Sequence, residues 1–118
     1  MEILVTNEPV AEEKLREMAD EWHGTLVKGA ADIERGILAL GGEWHMDANV
    51  KLIEEGSSQE HLWGFNIYPD ERGAAALEYI SLINIRPAQG NRNMELQDEA
   101  LRSKIRAIAA RIFPYLNL

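Results

Sequence analysis

The stretch from Ile83 to Arg92 is crowded with side chains that form hydrogen bonds, and it reads Ile-Asn-Ile-Arg-Pro-Ala-Gln-Gly-Asn-Arg. Arginine presents a fork of donors that suits carboxylate and phosphate groups, and a glycine such as Gly90 lets backbone N–H groups approach an anion. The stretch therefore predicts a site for a small anion or for an acidic segment of a protein partner. The candidate binding residues are Asn84, Arg86, Gln89, Asn91 and Arg92, with Asn66 and His45 reaching in from neighbouring elements.

A structural interpretation of the same loop stays open beside the binding one. In it, Arg86 pairs with an acid from the first half of the chain, where acidic residues are in large excess. Gln89 and Asn91 then satisfy backbone groups of an irregular loop, which short polar side chains commonly do. The two interpretations differ in whether the polar atoms of the loop are left over for a ligand.

A second constellation, Glu43-x-His45-x-Asp47, would place three potential metal ligands on one face of an extended segment. Zinc and iron sites use such sets, and Arg86 could then stabilise negative charge that develops during a metal-assisted hydrolysis. The set holds only one histidine, however, and Asp47 also suits the N-cap of a helix. We therefore keep a hydrolase as the alternative to a non-catalytic binding domain, for which no cofactor is expected.

Composition limits the class of protein. The 118 residues are 46% hydrophobic and 27% charged, which predicts one globular domain over residues 1–118. The absence of cysteine excludes disulfides and thiolate metal sites.

A net charge of -8 argues against nucleic-acid or membrane partners. Because the chain has no signal-like or membrane-spanning run, we expect a cytoplasmic protein. The acidic excess lies almost entirely in the first 60 residues, and this asymmetry suggests a homo-oligomer, most simply a dimer.

The periodicity of apolar residues predicts the order strand, helix, hairpin, short helix, hairpin, helix. The run from Leu77 to Arg86 has the strongest strand pattern and predicts a central strand buried on both faces. The fold class is therefore α+β, with a mostly antiparallel sheet of four to five strands and helices on one face. In the first half of the chain, the pattern predicts a strand at 2–5, a helix over 9–22 and a hairpin over 26–41. This hairpin is expected to pair Ile33 with Leu38 and Ala31 with Leu40. The later elements are a helix capped by Asp47, a capping box at 57–60, a strand at 62–69 and a helix from Asp98 to Pro114.

Two strand motifs carry a resemblance to a known family. Leu62-Trp63-Gly64-Phe65-Asn66-Ile67-Tyr68-Pro69, followed by the stretch from Ser81 to Arg92, resembles a small prokaryotic family of uncharacterised proteins. The resemblance takes in residues 32–36 and 42–47, continues to the last helix and leaves out residues 1–24. It implies a compact soluble domain and no particular activity.

Overall fold

A computed structural model describes residues 2–118. Its longer elements are β1 (Leu4–Thr6), α1 (Glu12–Trp22), β2 (Val27–Asp32), β3 (Ile37–Leu40), α2 (His45–Glu54), β4 (Leu62–Ile67), β5 (Leu77–Glu78) and α3 (Glu99–Ile112). Short 3₁₀ turns lie at Gln59–His61, Gly73–Ala76, Leu82–Asn84, Pro87–Gln89 and Pro114–Leu116. No helix within the described range has the length and apolar character that crossing a bilayer requires.

The five strands form one antiparallel sheet in the order β1-β3-β2-β4-β5, which confirms the predicted α+β class. The first helix begins at Glu12 rather than at Pro9, and it ends before Gly24, whose φ of +82° is the left-handed conformation expected there. The last helix is as predicted, because the Asp98 carboxylate accepts hydrogen bonds from the backbone N–H groups of Ala100 and Leu101.

Helices cover both faces of the sheet, so the prediction that they share one face was wrong. On the first face, α1 and α3 bury the large side chains of β4, Trp63, Phe65 and Ile67. On the second face, α2 packs Ala48 and Leu52 against the small residues of the inner strands. Residues of β4 alternate between the faces, and its even-numbered positions point to the face that α2 covers.

The β2–β3 hairpin is paired two residues away from the predicted register. Ala31 lies opposite Leu38, and Asp32 opposite Ile37, so the loop runs from Ile33 to Gly36. The cause is Asp32, which is buried. Its carboxylate accepts hydrogen bonds from the backbone N–H groups of Glu34 and Arg35, and from the Ser57 hydroxyl at 2.6 Å. Ser57 is thus engaged by Asp32 rather than in the predicted capping box, although a 3₁₀ turn does form at Gln59–His61.

The predicted central strand over residues 77–86 was also wrong. Only Leu77 and Glu78 pair with β4, at the edge of the sheet, and the central positions belong to β2 and β4. The chain then leaves the sheet: Ile80 forms an isolated bridge with Glu95, and a 3₁₀ turn follows at Leu82–Asn84. Leu82 is 67% exposed. The apolar run therefore forms an irregular flap rather than a buried strand.

Contact between this flap and β4 depends on Gly64. A Cβ atom added at Gly64 would lie 2.5 Å from the Cβ of Ser81, closer than two carbon atoms can approach without displacement. Gly64 therefore allows residues 81–84 to lie directly against the strand.

We expect Gly64→Ala to lower the free energy of unfolding by about 1 to 3 kcal/mol, because the added methyl overpacks against Ser81. Denaturant unfolding measures this change. Ser81→Gly removes the opposing Cβ, so the cost of Gly64→Ala should be smaller in that background. An equal cost in both backgrounds would show that the contact with Ser81 is not the cause.

Candidate functional site

The Arg86 side chain is bound to the protein itself rather than left free at the predicted anion site. One terminal nitrogen donates hydrogen bonds to the carbonyl oxygen of Gln59 at 2.7 Å and to the Gln89 side chain at 3.1 Å, and the other donates to the carbonyl oxygen of Leu62. The guanidinium carbon lies 3.7 Å from the centroid of the Trp63 ring. Burial lowers the pKa of Arg86 to about 10, which leaves it charged at neutral pH.

No carboxylate among residues 2–118 pairs with Arg86, so the expectation that it finds an acid in the first half of the chain was wrong. Its charge is instead stabilised by carbonyl dipoles and by an aromatic face. A structural role for Arg86 still agrees with the structural interpretation of the loop, because the hydrogen bonds of Arg86 hold the loop against the start of β4.

The Asn84 side chain takes the place of a neighbouring strand. Its carbonyl oxygen accepts from the Gly64 N–H at 2.8 Å, and its amide nitrogen donates to the Gly64 carbonyl at 3.0 Å. These are the two bonds that a paired strand would make with Gly64. Asn84 is fully buried, so none of its polar atoms faces solvent or a ligand.

The other predicted loop residues divide into bound and unbound groups. The Asn91 amide is buried, donates to the Asn84 carbonyl at 2.8 Å and accepts from the Gln97 N–H at 3.0 Å. Gln89 donates to the Glu60 carbonyl at 2.9 Å. Arg92 is exposed and bonds to no residue in the described part of the chain. Anion binding by this loop stays a prediction, and its buried amides are already occupied by the backbone.

The segment from Glu43 to Asp47 is not extended. The prediction that its three potential metal ligands lie on one face of an extended segment was therefore wrong. His45 is the first residue of α2 and Trp44 is the N-cap. Asp47 lies in the first turn, where its carboxylate accepts from the Trp44 N–H at 2.9 Å, and it is therefore not the N-cap that the sequence suggested. Within residues 2–118, no three side chains of the metal-binding types cluster as a cation site would need.

The structure does bring His45 and Asn66 together, on the second face of the sheet. The His45 Nε2 lies 2.7 Å from the Asn66 side-chain oxygen and 3.1 Å from the Phe65 carbonyl oxygen. Both neighbours are acceptors, so Nε2 carries the proton. The Asn66 amide nitrogen in turn donates to the Glu78 carboxylate at 2.8 Å, and that carboxylate also accepts from the Tyr68 hydroxyl at 3.0 Å.

This polar chain forms the floor of a cleft of about 580 Å³ beyond the N-terminal end of α2. Lys28, Asn66 and Glu78 occupy directly opposite positions on β2, β4 and β5, so they form one row across the sheet. The Lys28 Nζ lies 5.3 Å from the centroid of the Trp44 ring. The remaining walls are mostly apolar and include Leu26, Met46, Ile80, Leu82, Ile83 and Met94. A cleft of this size and lining is suited to a small molecule or to a few side chains.

A family model for a protein family of unknown function, DUF5674, matches residues 4–112. The chain belongs to this family. The match begins in β1, so the expectation that residues 1–24 lie outside the family was wrong from Leu4 onward. No curated protein and no solved structure matches the chain.

In this member of the DUF5674 family, the sequence pointed to two residues of the cleft and missed most of the others. Lys28, Trp44, Tyr68 and Glu78 were not among the candidate residues. A signal did exist for part of the set, because β2 and β4 alternate strictly and place Lys28 and Asn66 on the face opposite the large apolar residues. The residue opposite Glu78 could not be identified from sequence, because no recognisable tight turn fixes the register between the two strands of this hairpin.

The His45 pKa is lowered from its ordinary value of 6.5, mainly by burial and further by the nearby Lys28 charge, although the bond to Asn66 opposes the shift. Because the folded state disfavours the proton, neutral His45 contributes stability that is fully present above pH 6.5 and is lost as pH falls through the lowered pKa.

We therefore expect the free energy of unfolding of the wild type to decrease more than that of His45→Gln as pH is lowered from about 7.5 to about 5. Glutamine can donate to Asn66 but does not titrate, so the difference between the two curves isolates the imidazole. Chemical unfolding at each pH measures it. Parallel curves would mean that His45 titrates alike in the folded and unfolded states.

Proposed function

We propose that this chain is a non-catalytic binding domain and that its site is the cleft over Lys28, Asn66 and Glu78. One observation carries the proposal: the cleft joins apolar walls to polar atoms that have no partner in the described part of the chain. The Lys28 ammonium forms no hydrogen bond or ion pair there, and both bonds to the Glu78 carboxylate fall on the same oxygen, Oε1. Small-molecule sites combine these same features, an apolar lining and a few placed polar groups.

Exposure of the cleft walls supports the same proposal. Trp44 is 59% exposed and Leu82 is 67% exposed, although both are large apolar side chains beside a concave surface. Exposed apolar groups that rim a cleft commonly mark a binding site. A ligand that covered them would add hydrophobic stabilisation to the polar contacts below.

The hydrogen-bond arrangement favours binding over catalysis. The His45 Nε2–H is held by two acceptors, and the Ser81 hydroxyl accepts from the Ile83 N–H in a buried position. Neither group is aimed at the other as a nucleophile and base would be. The floor is instead a fixed array of donors and acceptors, which suits recognition.

The experiment is a screen of apolar fragments by ¹H–¹⁵N spectra, in which bound fragments should shift the amide signals of the cleft floor. Leu82→Arg places a charged side chain on the cleft wall, and we expect it to weaken these shifts about tenfold or more. Ile85→Arg is the matched control, because Ile85 is also exposed but does not line the cleft. Fragments that shift no cleft signals, or that bind Leu82→Arg and wild type alike, would contradict the proposal.

Self-association is a second proposed function, and the outer side of α2 favours it. Met46, Val50 and Ile53 follow one another at helical spacing and are 49%, 47% and 40% exposed. Most homo-oligomers are two-fold dimers that use the same patch on both subunits. A second copy packed on this stripe would cover apolar surface that α2 does not bury against the sheet.

Val50→Lys should therefore shift the mass from dimer to monomer in sedimentation velocity, because it places a charge in the centre of the stripe. Ala107→Lys, which adds the same charge on an exposed position of α3, should leave the mass unchanged. A wild type that is monomeric at every concentration tested would refute self-association and leave the cleft proposal intact.

The cytoplasmic location, the prokaryotic origin and the exclusion of nucleic acid as a partner stay predictions.

A further inference from the structure

The floor of the cleft carries opposite charges at its two sides. Lys28 on β2 and Glu78 on β5 flank Asn66 on β4, and neighbouring strands are spaced about 4.8 Å apart. The two Cα atoms are therefore about 10 Å apart. Lysine and glutamate at this separation could reach towards each other, yet no ion pair joins them.

The arrangement of Asn66 keeps these charges apart. Its side-chain oxygen is held by His45, and its amide nitrogen donates to Glu78 and to the Ile80 carbonyl at 3.3 Å. Tyr68 donates to the same carboxylate oxygen, Oε1, so Glu78 is fixed with its other oxygen unpaired. The carboxylate is thus preorganised, and a ligand would not have to order it on binding.

The Lys28 side chain has a different partner, the ring of Trp44. The Lys28 ammonium lies over the Trp44 ring, a position that attracts the charge but leaves its three hydrogen-bond donors unused. An anionic group entering the cleft beside Trp44 would meet a donor that has no competitor in the described part of the chain. A positively charged group beside Glu78 would likewise meet an unpaired oxygen.

Resting on the binding function proposed above, we propose that the ligand is a free α-amino acid with an apolar side chain. Its carboxylate would pair with Lys28, its ammonium with Glu78, and its side chain would lie against Trp44, Leu82 and Met94. Lys28 and Glu78 lie on either side of β4, and the two charged groups of an α-amino acid would fill the gap between their side chains. The exposed apolar walls of the cleft would favour amino acids with an apolar side chain.

Calorimetric titration of the full chain tests this ligand class, with L-leucine, L-methionine and L-phenylalanine as probes. Leucinamide lacks the carboxylate and N-acetylleucine lacks the ammonium, so each should bind about tenfold more weakly than leucine. Lys28→Met should weaken leucine about tenfold and leave leucinamide unchanged. Glu78→Gln, which keeps an oxygen for Asn66 and Tyr68, should weaken leucine and leave N-acetylleucine unchanged.

Equal affinities for leucine and its two derivatives would overturn the amino-acid ligand, and so would the absence of binding by all three probes. The fragment screen separates these failures from failure of the binding function. If fragments still shift the cleft signals in the wild type and not in Leu82→Arg, the cleft binds another apolar ligand. If they do not, the binding function itself fails. Melting curves of both variants confirm that a loss of binding is not a loss of fold.

Discussion

The pairing of the Asn84 amide with the backbone of Gly64 is the interaction on which the second half of the molecule depends. A strand that leaves its neighbour exposes backbone donors and acceptors, and each buried one costs free energy if it stays unpaired. Here the chain leaves the sheet after Glu78, and a side chain makes the two bonds that the backbone no longer supplies. Arg86 does the same for the Leu62 carbonyl nearer the start of β4.

The candidate cleft is a consequence of that departure. Because residues 79–96 fold away from the sheet plane and return, the second face of β4 and β5 is covered by α2 only in part. The uncovered part holds the row of Lys28, Asn66 and Glu78, and the flap supplies one apolar wall. The irregular segment thus has two roles, since its buried amides maintain the sheet while its exposed side chains shape a concave surface.

The sequence was sufficient to predict the structure where a pattern reflects one dominant interaction. The antiparallel sheet, the capped helix at Asp98 and the alternation of β4 all follow from local periodicity or from a single cap. It was insufficient where two features compete for the same residues. The apolar run from Leu77 has the composition of a buried strand, but the absence of a side chain at Gly64 and the presence of Asn84 allow a flap to form there, and neither effect is local in sequence.

The polar atoms at this edge also bear on how the molecule avoids aggregation. An open strand edge is a template on which another chain can add by backbone pairing, and proteins protect such edges with bulges, charges or covering loops. On β4 the template is closed by side chains, because Asn84 and Arg86 occupy the backbone positions that an added strand would need. Asn84 is fully buried and Arg86 is half-buried, so these side chains close the edge in the folded state and the sheet ends there without a long terminal strand.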